Sequence, residues 1–528
     1  MTRQDILGAL KSCTQQFDLV VIGGGITGAG VAREAAGSGL STLLVEQKDF
    51  AWGTSSRSSK MVHGGLRYLG SGQVGLTRDA VRERQRIMEE APGLVEPLPF
   101  LMPHYKGQFP GPRLFQLLLS FYDRLAGTHS RQRLTPAQTL QWAPGLAQHN
   151  LIAASSFTDA LTDDARLVQR LLAEARLDGA VCINYVTACG ITRDSDGRVS
   201  GVDLVAEGDN RENAIHIKTT RVINATGAWA DQLQKQGPTT DPLTIRPLRG
   251  SHLVLPWRRL PVTCAVSLMH PRDKRPVFAF PWAGTTVLGT TDLDHQADLN
   301  REPCITQPEV AYLLDVSGHL FPEARIQASD IVSTWAGVRP VVTDGHGKAP
   351  SKENREHALR NDKGMISIAG GKLTTFRQIA REALLAVLNG DSAPLRSERS
   401  RVFTEPAATP RPELVSHLNW RRLKGFYGPE LPAVLQNEHF DQVGNTSTLW
   451  AELTWACRSE QVVHLDDLLL RRTRLGLIYP NGAQDLLPAI REHCQPVLGW
   501  GDHQWQQEVH RYLQLYQQAY SLPETGEA

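Results

Sequence analysis

The chain has 528 residues, of which 41% are hydrophobic and 21% are charged, as in ordinary globular proteins. At roughly 150 residues per domain, this length predicts about two to four lobes. The net charge of +1 excludes a general attraction to nucleic acid, so any anionic partner must be recognised locally. Seven cysteines without a C-x-x-C pair argue against a metal site and a redox dithiol, and fit a reducing cytoplasm. We find no signal peptide and no run of about 20 apolar residues, so we expect no membrane-spanning segment.

The N-terminal segment has the pattern of a dinucleotide-binding site. Apolar residues at 19–22 predict a buried strand, and a helix rich in small side chains is predicted shortly after it. Between them lies a G-x-G-x-x-G turn, at Gly23, Gly25 and Gly28. We expect these glycines to make the tight turn, to admit a pyrophosphate and to let the helix pack on the strand. The N-terminus of the helix, near Thr27, offers N–H groups to the phosphates.

The next stretch indicates which dinucleotide is bound. A second predicted strand, at 41–45, ends in Glu46, a carboxylate suited to a ribose 2′-hydroxyl. Residues 53–60 are then rich in hydroxyl side chains that suit the pyrophosphate and ribityl chain of a flavin. A flexible Ser-rich loop is the alternative interpretation. The candidate cofactor contacts in this stretch are Thr54, Ser55, Ser59 and Lys60.

Residues 58–69 carry a specific resemblance. They read SSKMVHGGLRYL, which is similar to the signature of FAD-dependent glycerol-3-phosphate dehydrogenases of the respiratory, aerobic type. Residues 289–292, 335–340 and 365–377 match the same family, which usually has Tyr where Phe376 stands. The resemblance covers nearly the whole chain and implies FAD as the cofactor.

The resemblance implies an α/β fold in three parts. These are an FAD-binding, doubly wound Rossmann-like domain of the glutathione-reductase or D-amino-acid-oxidase kind, an antiparallel β-sheet substrate domain and a C-terminal helical domain. The FAD-binding domain is expected to be discontinuous, with segments at 15–90, 155–235 and 330–390. The substrate-binding or cap domain is expected at 91–154 and 236–329, and the helical domain at 391–528.

Two later turns are also expected to reach the flavin. A predicted strand ends in Ala-Thr-Gly at 225–227. This turn resembles the one that returns the chain to the flavin domain in related flavoproteins. A turn without a ligand is the alternative. A predicted strand at 330–334 precedes Gly337, and a Gly-Gly turn at 370–371 starts a helix whose N-terminus favours an anionic reduced flavin. The remaining expected cofactor contacts are His63, Val186, Ala225, Thr226, Gly227, Gly337, Gly371, Lys372, Leu373 and Thr374.

The substrate of this family is a phosphomonoester with close to two negative charges, so its pocket needs cations. The candidates are Arg67, Arg339 and Lys372. His63 is the candidate proton acceptor because an imidazole pKa lies near the working pH; a structural imidazole is the alternative. In another alternative, Arg339 stabilises the alkoxide while water accepts the proton. We therefore expect catalysis by His63, Arg339 and Lys372, with Tyr68 and Thr374 as substrate hydroxyl contacts.

These residues predict an enzyme that oxidises sn-glycerol 3-phosphate to dihydroxyacetone phosphate by hydride transfer to flavin N5. The resemblance implies that the electrons pass to a membrane quinone, either ubiquinone or menaquinone. It also implies a cytoplasmic enzyme attached peripherally to the inner face of the cell membrane; a homodimer is left open. Two alternatives remain, namely a glycerol-3-phosphate oxidase that uses dioxygen and a non-catalytic flavin-binding scaffold or sensor.

Two basic stretches have more than one interpretation. The apolar segment 113–125 predicts a helix that either lies on a membrane surface, with Lys106, Arg113 and Arg124 near the headgroups, or is buried between lobes. In the C-terminal region, the arginine-rich run 471–474 predicts a solvated helix face, with phospholipid or a partner protein as the alternative.

Overall fold

The computed structural model of the chain describes residues 2–12, 16–66, 69, 73–235, 242–343, 356–406, 408–436 and 439–524, except the side chain of Leu268. Arg67 and Tyr68, both predicted to contact substrate, lie outside these residues. The strands are β1 (Leu19–Ile22), β2 (Thr42–Val45), β3 (Met61–Val62), β4 (Val95–Tyr105), β5 (Gln132–Leu134), β6 (Leu151–Thr162), β7 (Val181–Ile183), β8 (Val186–Arg193), β9 (Val199–Ala206), β10 (Ile215–Lys218), β11 (Val222–Asn224), β12 (Ile245–Pro256), β13 (Ala265–Met269), β14 (Pro276–Trp282), β15 (Thr285–Gly289), β16 (Leu293–Asp294), β17 (Ser333–Val342), β18 (Ala358–Asp362) and β19 (Met365–Ala369). The α-helices are α1 (Arg3–Ser12), α2 (Ile26–Ala36), α3 (Val74–Glu90), α4 (Pro112–Ala126), α5 (Pro136–Trp142), α6 (Asp164–Leu177), α7 (Ala230–Gln234), α8 (Gln307–Leu320), α9 (Phe376–Val387), α10 (His417–Tyr427), α11 (Leu431–Leu435), α12 (Trp450–Ser459), α13 (Leu475–Ile478), α14 (Leu487–Leu498) and α15 (Asp502–Ala519).

A six-stranded sheet in the order β18-β19-β11-β1-β2-β7 forms the nucleotide-binding layer. Its strands are parallel except for β18, which is antiparallel to β19. All four residues of β1 are buried, as a strand covered on both faces requires. Helices α2, α6 and α9 pack on one face, while α1 and the antiparallel sheet β10-β9-β8 pack on the other. The predicted doubly wound α/β architecture is confirmed.

A larger sheet contains most of the remaining strands. Its order is β16-β12-β15-β14-β13-β4-β6-β3, with β17 paired to β12 and β5 paired to β6, and its pairs are antiparallel except β13 with β4. Strands β6 and β17 belong to this sheet, although 155–162 and 333–342 fall within the predicted FAD-binding segments. The larger sheet therefore includes strands from two segments that the sequence assigned to the FAD-binding domain.

The strand that carries Gly337 and Arg339 is longer than predicted. The sequence indicated a strand at 330–334, whereas β17 runs from Ser333 to Val342. The reason is its partner: β12 pairs with β17 continuously, from Val254 opposite Ser333 to Ile245 opposite Val342. Gly337 and Arg339 consequently have positions set by a ten-residue strand.

The C-terminal region forms the predicted helical domain, from α10 to α15. Part of it shares a buried core with the larger sheet, since Leu468 and Tyr512 lie in one apolar cluster with Trp282 and Trp335. The prediction of a solvated arginine face is wrong in this domain. Residues 471, 472 and 474, all arginine, are at most 4% exposed.

Candidate functional site

The glycine turn lies at the carboxyl edge of the six-stranded sheet, between β1 and α2. Gly23 has a φ of +112°, and a Cβ there would lie 2.5 Å from the carbonyl oxygen of Ala225. A Cβ on Gly28 would lie 1.8 Å from the carbonyl oxygen of Gly23. Larger residues are therefore excluded at both positions, as the fingerprint predicts.

The N-terminus of α2 faces the hydroxyl-rich loop. Gly25 occupies the N-cap position and contributes no capping side chain, and a Cβ on it would lie 3.0 Å from the Ser55 Oγ. The backbone N–H of Ile26 donates to that Oγ at 2.9 Å. Thr54 Oγ1 donates to the carbonyl oxygen of Val338 on β17. The structure thus brings together three separate segments predicted to contact the cofactor.

Glu46 ends β2 beside the same turn. Its carboxylate accepts hydrogen bonds from the backbone N–H groups of Gly24 at 2.7 Å and Lys48 at 2.9 Å. Burial raises the pKa of this carboxyl above its ordinary value, against the effect of those two bonds. Val186 donates its backbone N–H to the Glu46 carbonyl at 2.8 Å. Both residues therefore lie where the adenosine half of a dinucleotide is expected.

The Ala-Thr-Gly turn follows β11, the strand next to β1. The Ala225 N–H donates to the Ile22 carbonyl at 2.8 Å, and Thr226 Oγ1 donates to Asn224 Oδ1 at 2.7 Å. Gly227 then adopts a φ of +61°. This turn and the glycine turn therefore adjoin at one sheet edge, where ligands bind in open α/β sheets.

Two distant segments meet at His63. Thr374 Oγ1 donates to the His63 carbonyl at 3.2 Å. Thr374 belongs to a short 3-10 turn, Leu373–Thr375, that follows Gly371 and Lys372 and leads into α9. Gly64 donates its N–H to Asp159 Oδ1 at 3.2 Å, which attaches the His63 turn to β6. The predicted catalytic and cofactor residues of both segments are consequently brought together.

Arg339 lies on β17 with its side chain 30% exposed. Its guanidinium donates to the Thr291 carbonyl at 3.3 Å and lies 3.7 Å from Asp292 Oδ1. A Cβ on Gly250, in the adjacent strand β12, would lie 2.4 Å from Arg339 Nη2. The glycine therefore makes room for the cation. The sequence did not predict that Gly250 and Asp292 lie near Arg339, because this proximity depends on strand pairing.

Lys60, a predicted cofactor contact, has a side chain that is paired within the protein. Its ammonium is fully buried and donates to Asp164 Oδ1 at 2.9 Å and to the Ser56 carbonyl at 3.1 Å. It also lies 4.7 Å from the ring centroid of Trp282, and burial lowers its pKa to about 8. A contact between Lys60 and a cofactor would therefore have to come from its backbone.

His252 is a site residue that sequence reasoning missed. Its Nε2 lies 2.9 Å from Ser59 Oγ, and its ring stacks on Trp335 at 4.9 Å. Burial, together with the nearby Lys60 ammonium, lowers its pKa well below the ordinary value, so the imidazole is neutral near pH 7. No local motif marks this histidine, because strand pairing places it opposite Trp335 and its contact with Ser59 arises only from tertiary packing.

In the ranges that the structure describes, every helix is too short or too polar to span a lipid bilayer. In the same ranges, no group of histidine, cysteine, aspartate or glutamate side chains has an arrangement that could hold a metal ion.

Comparison with known proteins agrees with this geometry. Residues 18–377 match the family described as FAD dependent oxidoreductase, and residues 372–505 match the C-terminal domain of alpha-glycerophosphate oxidase. The aerobic glycerol-3-phosphate dehydrogenase of Staphylococcus haemolyticus is 37% identical over 524 residues, which cover 93% of this chain and 92% of that protein. The protein of the same name from Staphylococcus saprophyticus is 33% identical over 509 residues, covering 91% and 90%.

Two solved structures are also similar to this chain. The glycerol-3-phosphate dehydrogenase of Bacillus halodurans, complexed with FAD, has a TM-score of 0.76 at 29% identity and covers 97% of both chains. The L-alpha-glycerophosphate oxidase of Mycoplasma pneumoniae, with FAD bound, has a TM-score of 0.57 at 18% identity and covers 73% of this chain and 97% of that one. The second likeness shows the fold alone. The family match and the FAD-bound dehydrogenase confirm the predicted cofactor, and the glycine turn, the Glu46 carboxylate and the hydroxyls of the following loop fit it.

Proposed function

The chain belongs to the family of FAD-dependent aerobic glycerol-3-phosphate dehydrogenases, and we propose that it oxidises sn-glycerol 3-phosphate to dihydroxyacetone phosphate and passes the electrons to a membrane quinone. The observation that best supports this is the position of Arg339. This partly exposed cation follows Val338, whose carbonyl binds Thr54 of the cofactor-binding loop. A phosphate-binding group thus adjoins the predicted flavin site.

Each site residue has a role that its position supports. The chemistry supplied by bound FAD is acceptance of a hydride at flavin N5. Arg339, oriented by the Thr291 carbonyl and Asp292, binds the substrate phosphate through its planar fork. His63 accepts the hydroxyl proton, and Lys372 and Thr374, whose segment meets the His63 turn, bind the oxygen that becomes the ketone. Arg67 and Tyr68 complete the proposed pocket on sequence grounds alone.

The reaction is tested by anaerobic stopped-flow reduction of the purified holoenzyme with glycerol 3-phosphate, followed by mixing with a soluble quinone or with oxygenated buffer. We expect substrate to bleach the flavin absorbance and quinone to restore it faster than oxygen does. Reoxidation by oxygen alone would instead identify an oxidase. A flavin that substrate does not bleach would contradict the proposed reaction.

The role of His63 is tested in the same single turnover. His63→Ala should slow flavin reduction by roughly 100-fold, the usual contribution of one general base. His319→Ala is the matched control, because His319 is on α8, outside the proposed site, and is exposed. Unchanged reduction in His63→Ala would show that its imidazole is structural.

The membrane contact is supported by α4. Its inner face is buried through Phe115 and Leu119, whereas Leu114, Leu117 and Phe121 are 50%, 69% and 43% exposed. The prediction of a helix buried between lobes is therefore wrong for the outer face. Exposed arginines at 113 and 124 flank that face, and the single acid of the helix, at 123, is buried. Apolar side chains bordered by cations suit an anionic lipid surface.

Cosedimentation with anionic phospholipid vesicles tests this surface. The double variant Leu117→Ser, Phe121→Ser should bind at least about tenfold more weakly, because it removes apolar area that would enter the lipid. Leu177→Ser is the control, since Leu177 is 57% exposed at the end of α6. Equal binding of the double variant and the control would exclude α4 as the membrane contact, while flavin reduction by substrate should be unchanged in both.

A further inference from the structure

The loop that carries the cofactor-binding hydroxyls is attached at both ends to the C-terminal helical domain. We define the cofactor loop as residues 49–60 and the arginine run as Arg471, Arg472 and Arg474. We propose that the arginine run positions the cofactor loop, so that FAD binding depends on the C-terminal domain although none of these arginines belongs to the predicted cofactor contacts.

The first attachment is at Asp49, three residues after Glu46. Its buried carboxylate accepts two hydrogen bonds from the guanidinium of Arg472, both at 2.7 Å, and one from Arg471 at 2.5 Å. Asn184, which follows β7, donates to the same carboxylate at 3.0 Å. A bidentate guanidinium pair fixes direction as well as distance, so the start of the loop has one position relative to the C-terminal domain.

The second attachment is at Asp164, the first residue of α6. Arg474 donates to its carboxylate at 2.5 Å and also to the Ser56 carbonyl at 3.2 Å. The same carboxylate accepts from the Ser58 N–H at 3.0 Å, the Ser58 hydroxyl at 2.7 Å and the Lys60 ammonium at 2.9 Å. Arg474 therefore holds the end of the loop directly and through Asp164.

Thr54 and Ser55 lie between these two attachments. Ser55 bonds the first turn of α2, and Thr54 bonds β17. The loop is thus aligned with the glycine turn by groups that the C-terminal domain supplies. Because coupling free energies are reciprocal, FAD should also stabilise the docked C-terminal domain. This inference requires FAD binding only and does not depend on the substrate or the electron acceptor.

The test compares two arginines with similar pairing. Arg474→Lys keeps the charge but loses the fork that reaches both Ser56 and Asp164. Arg422→Lys is the control, because Arg422 pairs with Glu452 at 2.9 Å and 2.5 Å entirely inside the C-terminal domain. The full chain, stripped of FAD, is titrated with FAD while flavin fluorescence and the melting temperature are followed.

We expect Arg474→Lys to raise the Kd for FAD about tenfold and to reduce the rise in melting temperature on FAD addition. Saturating FAD should restore the visible spectrum of the bound flavin, which a misfolded chain would not regain. Arg422→Lys should melt earlier than the parent but bind FAD with unchanged Kd. A normal Kd in Arg474→Lys, or an equal loss in both variants, would overturn the proposal.

Ser58→Ala keeps the test informative even if Arg474→Lys fails to fold. It removes the hydroxyl that donates to Asp164 and accepts from the Lys60 N–H within the loop, and it leaves the C-terminal domain unchanged. We expect an increase in Kd for FAD of about threefold, with an unchanged melting temperature of the FAD-free chain. An unchanged Kd would contradict the proposed path from Arg474 through Asp164 to the loop.

Discussion

Helix α4 and the arginine run show how poorly a local charge pattern determines burial. Both combine arginines with leucines, and the sequence favoured burial for α4 and solvent exposure for the run. The structure shows the reverse. The arginines of α4 and part of its apolar face are exposed, whereas Arg472 is buried against Asp49. What separates them is the supply of partner carboxylates from distant parts of the chain, since buried charges must be paired.

The largest expected difference between the two regions is in stability. Arg472→Met should lower the free energy of unfolding by about 3–5 kcal/mol, because it leaves the Asp49 carboxylate buried with one partner fewer. Arg124→Met on α4 should change it by less than about 0.5 kcal/mol. Urea denaturation of both variants measures the two values. Similar values would contradict the proposed difference in burial energetics between the two regions.

Arg339 is intermediate in burial, since its side chain is partly exposed and lies 3.7 Å from Asp292 Oδ1. Arg339→Ala should raise the KM for glycerol 3-phosphate roughly 100-fold, equivalent to about 2.7 kcal/mol, because a charged phosphate contact is lost. Bound FAD and the melting temperature should change little. Steady-state kinetics and FAD content check this, and an unchanged KM would refute the proposed phosphate contact.

Acid should weaken the pairing between the arginine run and Asp49. Burial opposes ionisation of Asp49, but attraction to Arg472 and Arg471 lowers the pKa of this carboxyl to about 2. Its stabilising contribution, about 2 kcal/mol, is fully present above the unfolded-state pKa of about 4 and is lost as the pH falls towards 2. Asp49→Asn should therefore flatten the dependence of stability on pH between about 4 and 2. Melting temperatures of both proteins across that range provide the check.

The smallest expected effect concerns the outer face of α4. Leu117→Ser should change the free energy of unfolding by less than about 0.5 kcal/mol, because the side chain is 69% exposed. Leu119→Ser, two residues away on the buried face, should cost more than 2 kcal/mol. Thermal unfolding of both variants tests the asymmetry, which equal losses would disprove.

Much of the cofactor site was predictable from the sequence because its parts are local. The glycine turn, Glu46 and the Ala-Thr-Gly turn each follow a short strand, and parallel strands bring such turns to one sheet edge. The Gly-Gly turn before α9 was recognisable for the same reason. The family resemblance then identified FAD, which a glycine pattern alone cannot distinguish from other dinucleotides.

The sequence by itself therefore determined the fold class, through steric rules for neighbouring residues, and the cofactor, through its resemblance to a family. Only the tertiary structure decided the position of Arg339, through the ten-residue pairing of β17 with β12, and the contact of His252 with Ser59. It also decided that the arginine run is buried, because its partners Asp49 and Asp164 lie more than 300 residues away in the chain. Contacts at such separations leave no local pattern, since they arise only when packed elements are brought together.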